Sequence, residues 1–85
     1  MLTTEQEKKI KSIDVEENGN LQDFFKTLKL VFRSPELIEI FEVSSVTFYK
    51  FSKGIEKGVL NSKKMTRTLF DLLLMAKITA IGKDD

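Results

Sequence analysis

Between Leu21 and Phe32 the apolar residues, Leu30 apart, are Leu21, Phe24, Phe25, Leu28, Val31 and Phe32. They fall at i, i+3, i+4, i+7, i+10 and i+11, the spacing that lines one face of an α-helix. Leu30 lies off that face. No stretch alternates apolar and polar residues long enough for a half-buried strand, and nothing recurs at a fixed longer period. The chain is therefore expected to be all-α. With 85 residues it makes one domain, and at that size only about 60–65% of the unfolded surface is buried, so the core is thin.

Helix punctuation divides the chain into five helices in a compact bundle. The first segment, Thr4 to Glu17, opens with a possible capping box, Thr4 with Glu7. Its apolar residues (Leu2, Ile10, Ile13, Val15) are too few for it to stand without a neighbour. Asn18-Gly19-Asn20 breaks it, and Asn20 is a natural N-cap for the segment that follows. Ser34-Pro35-Glu36 restarts a short helix, roughly Pro35 to Phe41, with serine as cap and proline in the first turn. Glu42-Val43-Ser44 interrupts it. Ser44 or Ser45 caps a fourth helix that turns Phe48 and Phe51 inward and ends near Gly54. After a loop containing Gly54 and Gly58, Asn61 or Ser62 caps a last helix running to about Ala80, before Gly82. The division is a single domain over 1–85: 1–19 N-terminal helix and turn, 20–60 central helices, 61–82 C-terminal helix, 83–85 tail.

Composition removes whole classes of chemistry. The chain has neither cysteine nor histidine, which excludes zinc fingers, disulfide scaffolds, thiol catalysis and imidazole-based triads. Gly54-Ile55-Glu56-Lys57-Gly58 lacks the spacing and ending of a phosphate loop. Glu16, Glu17, Asp84 and Asp85 are scattered as solvated carboxylates are, not paired for acid–base work. The phenylalanines sit at core spacings, not as a stacking platform. No enzyme activity, cofactor, metal or small-molecule substrate is expected. MLTTEQEKKI has no apolar signal core, and the longest apolar run, Leu72 to Ala76, is far too short for a membrane helix. A cytoplasmic protein without membrane contact is the expectation.

Charge is uneven although the net is only +1. Residues 1–42 hold six Lys/Arg against nine Asp/Glu, while residues 43–85 hold eight against four. Between Lys50 and Arg67 six basic residues face one acid, Glu56, which hints at a polyanion-facing side.

The stretch ELIEIFEVSSVTFYKFSKG, from Glu36 to Gly54, resembles the helix-turn-helix of the phage repressor/Cro-type family, with its small prophage- and antitoxin-type regulators. The matching positions are Leu37, Phe41 and Val43, then Ser44, Thr47, Phe48, Phe51 and Gly54. The family usually has a small residue where this chain has Ile38, and glycine where it has Glu42. Ile38 should spread the two helices, and Glu42 must adopt a turn conformation that glycine takes more easily. The resemblance implies a lambda-repressor-like fold with 45–53 as the recognition helix in a major groove. It makes Ser44, Ser45, Val46, Tyr49, Lys50 and Lys53 the outward residues, with Lys57 beyond them. Serine hydroxyls suit phosphate or base edges, Val46 a thymine methyl, and Lys50 guanine acceptors.

Lys63, Lys64 and Arg67 begin the last helix, where positive charge opposes the helix dipole. A docked phosphate would reverse that sign; simple solvation is the alternative. That helix also carries two apolar stripes about 140° apart by the count of about 100° per residue. Met65, Leu69, Leu72, Leu73 and Ala76 form one. Phe70, Leu74, Ile78 and Ile81 form the other, available either to a homodimer interface or to the N-terminal helix through Ile10 and Ile13. The reading is a sequence-specific binder of double-stranded DNA, a transcriptional regulator and repressor of phage or mobile-element origin. The alternative is a protein-interaction module on the same fold.

Overall fold

The computed structural model describes residues 2–15 and 19–82, with side chains through Ile78. Its elements are α1 (Thr4–Lys11), α2 (Leu21–Val31), α3 (Ser34–Phe41), α4 (Ser45–Glu56) and α5 (Lys63–Gly82), with no strand among the described residues. The all-helical class and the five helices follow the sequence pattern; several helix ends do not.

α1 is capped one residue earlier than expected. The Thr3 hydroxyl accepts from the Gln6 N–H while the Gln6 side chain accepts from the Thr3 N–H, so the capping box is Thr3 with Gln6. The helix stops at Lys11, well short of Glu17, which lies outside the described residues. Asn20 caps α2 through its side-chain oxygen, at 2.9 Å from the Asp23 nitrogen. In α3 the capping position falls on Arg33, which makes no side-chain bond to the first turn, and Ser34 lies inside the helix with Pro35 in that turn.

α3 and α4 end in the same way with different residues. After α4, Gly58 takes φ +81°, its N–H reaching Ile55 O and the Val59 N–H reaching Gly54 O, a Schellman pattern. The fourth helix therefore ends at Glu56, past Gly54. After α3, Glu42 takes φ 54° and ψ 46°, with the Val43 N–H on Ile38 O at 3.4 Å. Glu42 does adopt the left-handed turn that its position demands, where a non-glycine residue costs about 1–2 kcal/mol.

α5 packs against α1, α2 and α3, and α2 packs against α3. The stripe Met65, Leu69, Leu72, Leu73 and Ala76 is buried throughout, and Ile10 and Ile13 are buried with it. α1, polar as it is, thus contributes Ile10 to the common core, and Ile13 joins it from the turn just after the helix. From α2, Phe25 meets three rings: Phe41 at 6.2 Å, Phe48 at 5.9 Å and Phe51 at 5.5 Å between centroids. Leu37 is fully buried, while Ile38 and Val43 are half-buried against the core. Leu30 is exposed, as its place off the α2 face requires; Val31, expected on that face, is 38% exposed. No helix among the described residues is long and apolar enough to cross a membrane.

Candidate nucleic-acid interface

α4 buries Phe48, Phe51, Ser52 and Ile55. Opposite that face, at i, i+4, i+7 and i+11, lie Val46, Lys50, Lys53 and Lys57, all exposed. A helix advancing about 100° per residue sets these four on one ridge. Ser45 and Tyr49 flank it, also exposed, and the Tyr49 ring rests edge-on against Phe48 at 5.7 Å. Ser44 is engaged in capping: its Oγ accepts from the Thr47 N–H at 3.2 Å and donates to Thr47 Oγ1 at 3.0 Å. The local cause is ordinary N-cap chemistry, which satisfies one orphan donor of the helix.

Glu56, the one acid in the basic stretch, points elsewhere. Its carboxylate lies 3.9 Å from Lys29 Nζ of α2, and Lys29 also sits over the Phe25 ring at 5.8 Å. The ridge therefore carries three lysines and no carboxylate.

Two side-chain bonds hold the start of α5 beside α4. Asn61 Nδ2 donates to the Lys50 carbonyl at 3.0 Å, and Lys64 Nζ donates to the Glu42 carbonyl at 2.7 Å. The first closes the loop back onto α4; the second joins α5 to the turn between α3 and α4. An ammonium has three donors, so Lys64 keeps N–H groups for another acceptor. Ser62, not Asn61, caps α5, its Oγ accepting from the Met65 N–H at 3.3 Å. Lys63, Lys64 and Arg67 are all exposed.

No protein-family model, curated protein or solved structure matches this chain.

The structure thus gathers Val46, Lys50, Lys53 and Lys57 into one row and links that helix to the one bearing Lys63 and Lys64. Phe70, Leu74 and Ile78 lie apart from the row on the outer face of α5, exposed; Ile81 falls outside the described side chains. Two contributors went unread in sequence, Asn61 as a tie to α4 and the Glu42 carbonyl as an acceptor. Their partners are 11 and 22 residues away, separations that local pattern does not reach. Val59 and Leu60 were also unmarked, and both are about half exposed. Among the described residues no group of three His, Cys, Asp or Glu side chains stands ready for a metal.

Proposed function

We propose that this chain is a sequence-specific binder of double-stranded DNA that uses α3 and α4 as a helix-turn-helix and lays the outer ridge of α4 in the major groove. The observation that carries this reading is the ridge itself: Val46, Lys50, Lys53 and Lys57 in one exposed row, with the nearby acid Glu56 turned toward Lys29. A helix fits the major groove, where lysine can reach guanine acceptors and an apolar side chain a thymine methyl. Lys63 and Lys64 then take backbone phosphates at the N-terminus of α5, where free N–H groups and the helix dipole favour an anion. The left-handed Glu42 turn and the shared rings under α3 and α4 support the helix-turn-helix reading. The role as a repressor of phage or mobile-element origin rests on the resemblance of 36–54 to that family.

Selection of bound duplexes from a random pool tests this directly. The expected result is a recurrent motif, bound with an affinity that falls steeply with salt. Each phosphate neutralised by a lysine contributes about −0.9 to the slope of log K against log salt. A second reading, a protein-interaction module, is favoured by the exposed Val59, Leu60 and Phe70, since adjoining apolar groups in water mark contact surfaces. It predicts no enriched motif and a flat salt dependence on random duplex.

A further inference from the structure

The outward side of α5 joins an apolar row to a basic rim. At about 100° per residue Lys63, Arg67, Phe70, Leu74 and Ile78 fall within an arc of about 80°, and all of them are exposed. Leu60, Lys63, Thr66, Arg67 and Phe70 line a shallow depression of about 380 Å³ whose surface is nearly all carbon. Its lining holds Lys63 and Arg67 and no acid. Leu60 is 49% and Phe70 51% exposed, and Leu74 continues the row one turn on at 42%. Asp71 borders the arc on the Arg67 side, exposed, and Lys77 borders the other side, half-buried.

We infer that this depression is a docking site for an acidic amphipathic helix of a partner protein. Several anions could answer the cations, and the carbon surface separates them. A nucleic-acid backbone would satisfy Lys63 and Arg67 yet leave Leu60, Phe70 and Leu74 in water, where adjoining apolar groups mark a contact surface. An anionic bilayer takes up a convex apolar face bordered by many cations, whereas here the apolar wall is concave and only Lys63 and Arg67 rim it. A helix with apolar anchors at i, i+3 and i+4 seats a large side chain in such a groove. Its flanking carboxylates then meet the rim.

The spacing of the rim fits that partner. Lys63 and Arg67 are about 6 Å apart along the axis, the separation of carboxylates four residues apart on a second helix. The Arg67 guanidinium can hold one carboxylate through two parallel bonds, and the Lys63 ammonium meets another as a point charge. One helix face gives a small contact, so the association is transient and weakened by salt. Lys63 is also the phosphate contact proposed above, so docking takes it from a duplex. That consequence rests on the DNA reading; the site itself does not.

Fluorescence anisotropy with a labelled synthetic peptide tests the site without DNA. The probe is a helical peptide of about 15 residues, long enough to follow the row from Lys63 to Ile78 over about 22 Å. It carries leucine and phenylalanine at i, i+3, i+4 and i+7, with glutamates on both flanks. Saturable binding in the micromolar range is expected, and none at millimolar concentration overturns the inference. A counterpart with lysine for each glutamate, and one with alanine for each large apolar residue, should both fail to bind. Equal binding of either overturns it, the first by refuting charge complementarity and the second by showing a mere polyanion contact. Arg67→Glu and Phe70→Ser lie at the surface and should leave the helical melt unchanged while weakening the peptide by about tenfold each. Unchanged affinity in both overturns the placement. Asp71→Asn removes the bordering acid and should tighten binding; weakening refutes the charge argument. Lys50→Ala combined with Lys53→Ala asks whether the peptide lies on α4 instead, and a loss equal to that of Arg67→Glu refutes the assignment to α5. Vesicles of anionic phospholipid should not displace the peptide; displacement makes the face a membrane contact and overturns the inference. Because no arm contains DNA, failure here is separate from failure to select a duplex.

Discussion

Gly54→Ala separates two effects of opposite sign. Gly54 lies inside α4, where alanine ordinarily stabilises a helix by about 1 kcal/mol. Here a Cβ would stand 2.9 Å from Asn61 Nδ2 and 3.0 Å from the Val59 carbonyl oxygen. Asn61 can step aside only by giving up its bond to the Lys50 carbonyl, a loss of about 0.5–1.5 kcal/mol. The Val59 oxygen belongs to a backbone whose own N–H is fixed on Gly54 O at 2.8 Å. Moving it loosens the Gly58 turn, at a further cost of about 1 kcal/mol. A loss of about 2 kcal/mol against a gain of about 1 leaves the variant less stable by about 1 kcal/mol, a fall in Tm of about 4–8 °C for a domain this small. Thermal and urea unfolding followed by far-UV circular dichroism measure it. Asn61→Ala supplies the second arm: without the amide, Gly54→Ala should cost less, with a coupling of about 0.5–1 kcal/mol in the double-mutant cycle. A Gly54→Ala variant that melts several degrees higher, or strict additivity in the cycle, refutes the account of the loop.

Glu42→Gly should raise stability by about 0.5–1 kcal/mol, since the relief of a left-handed non-glycine residue exceeds the added freedom of the unfolded chain; a lower urea midpoint refutes it. Ser52 Oγ is buried without a hydrogen-bond partner among the described residues, so Ser52→Ala should be neutral or stabilising by up to about 1 kcal/mol, and a clear loss in calorimetry refutes that. Lys50→Ala should cost about 1–3 kcal/mol at one position of the selected DNA site and relax its sequence preference, as a base contact does. Lys63→Ala should weaken all duplexes alike and lower the salt slope by about one unit; identical behaviour of the two variants in a fluorescence-anisotropy salt series refutes the division between base and backbone contacts.

The core was legible in the sequence because the helical period is local. Phe24, Phe25 and Leu28 in α2, and Met65, Leu69, Leu72, Leu73 and Ala76 in α5, are buried as their spacing requires. Helix ends were less legible where two residues of similar chemistry compete. Thr3 and Thr4 cap equally well, and Gln6, not Glu7, decided the matter through its bond to the Thr3 nitrogen. Gly54 and Gly58 are both able to end a helix, but only Gly58 takes positive φ. Val46, Lys50, Lys53 and Lys57 were named in the sequence through the resemblance of 36–54, and the structure leaves all four exposed opposite the buried face of α4. The Lys29–Glu56 pair and the ties from Asn61 and Lys64 were not legible, because each joins elements whose adjacency depends on the whole fold.

That dependence converges on one side chain. Phe25 touches Phe41 at the end of α3 and both Phe48 and Phe51 of α4, so one ring of α2 fixes the two helices relative to each other. The turn between them need not hold that angle alone, and this is how Glu42 can stand where glycine would be easier: the strain of about 1–2 kcal/mol is set against a buried aromatic cluster in which each well-placed pair contributes about 0.5–1.5 kcal/mol beyond its burial. Lys64 adds a donor to the carbonyl of the same strained residue. The outward aim of Lys50 and Lys53 is therefore determined from beneath the helix, by Phe25, more than by the turn that precedes it.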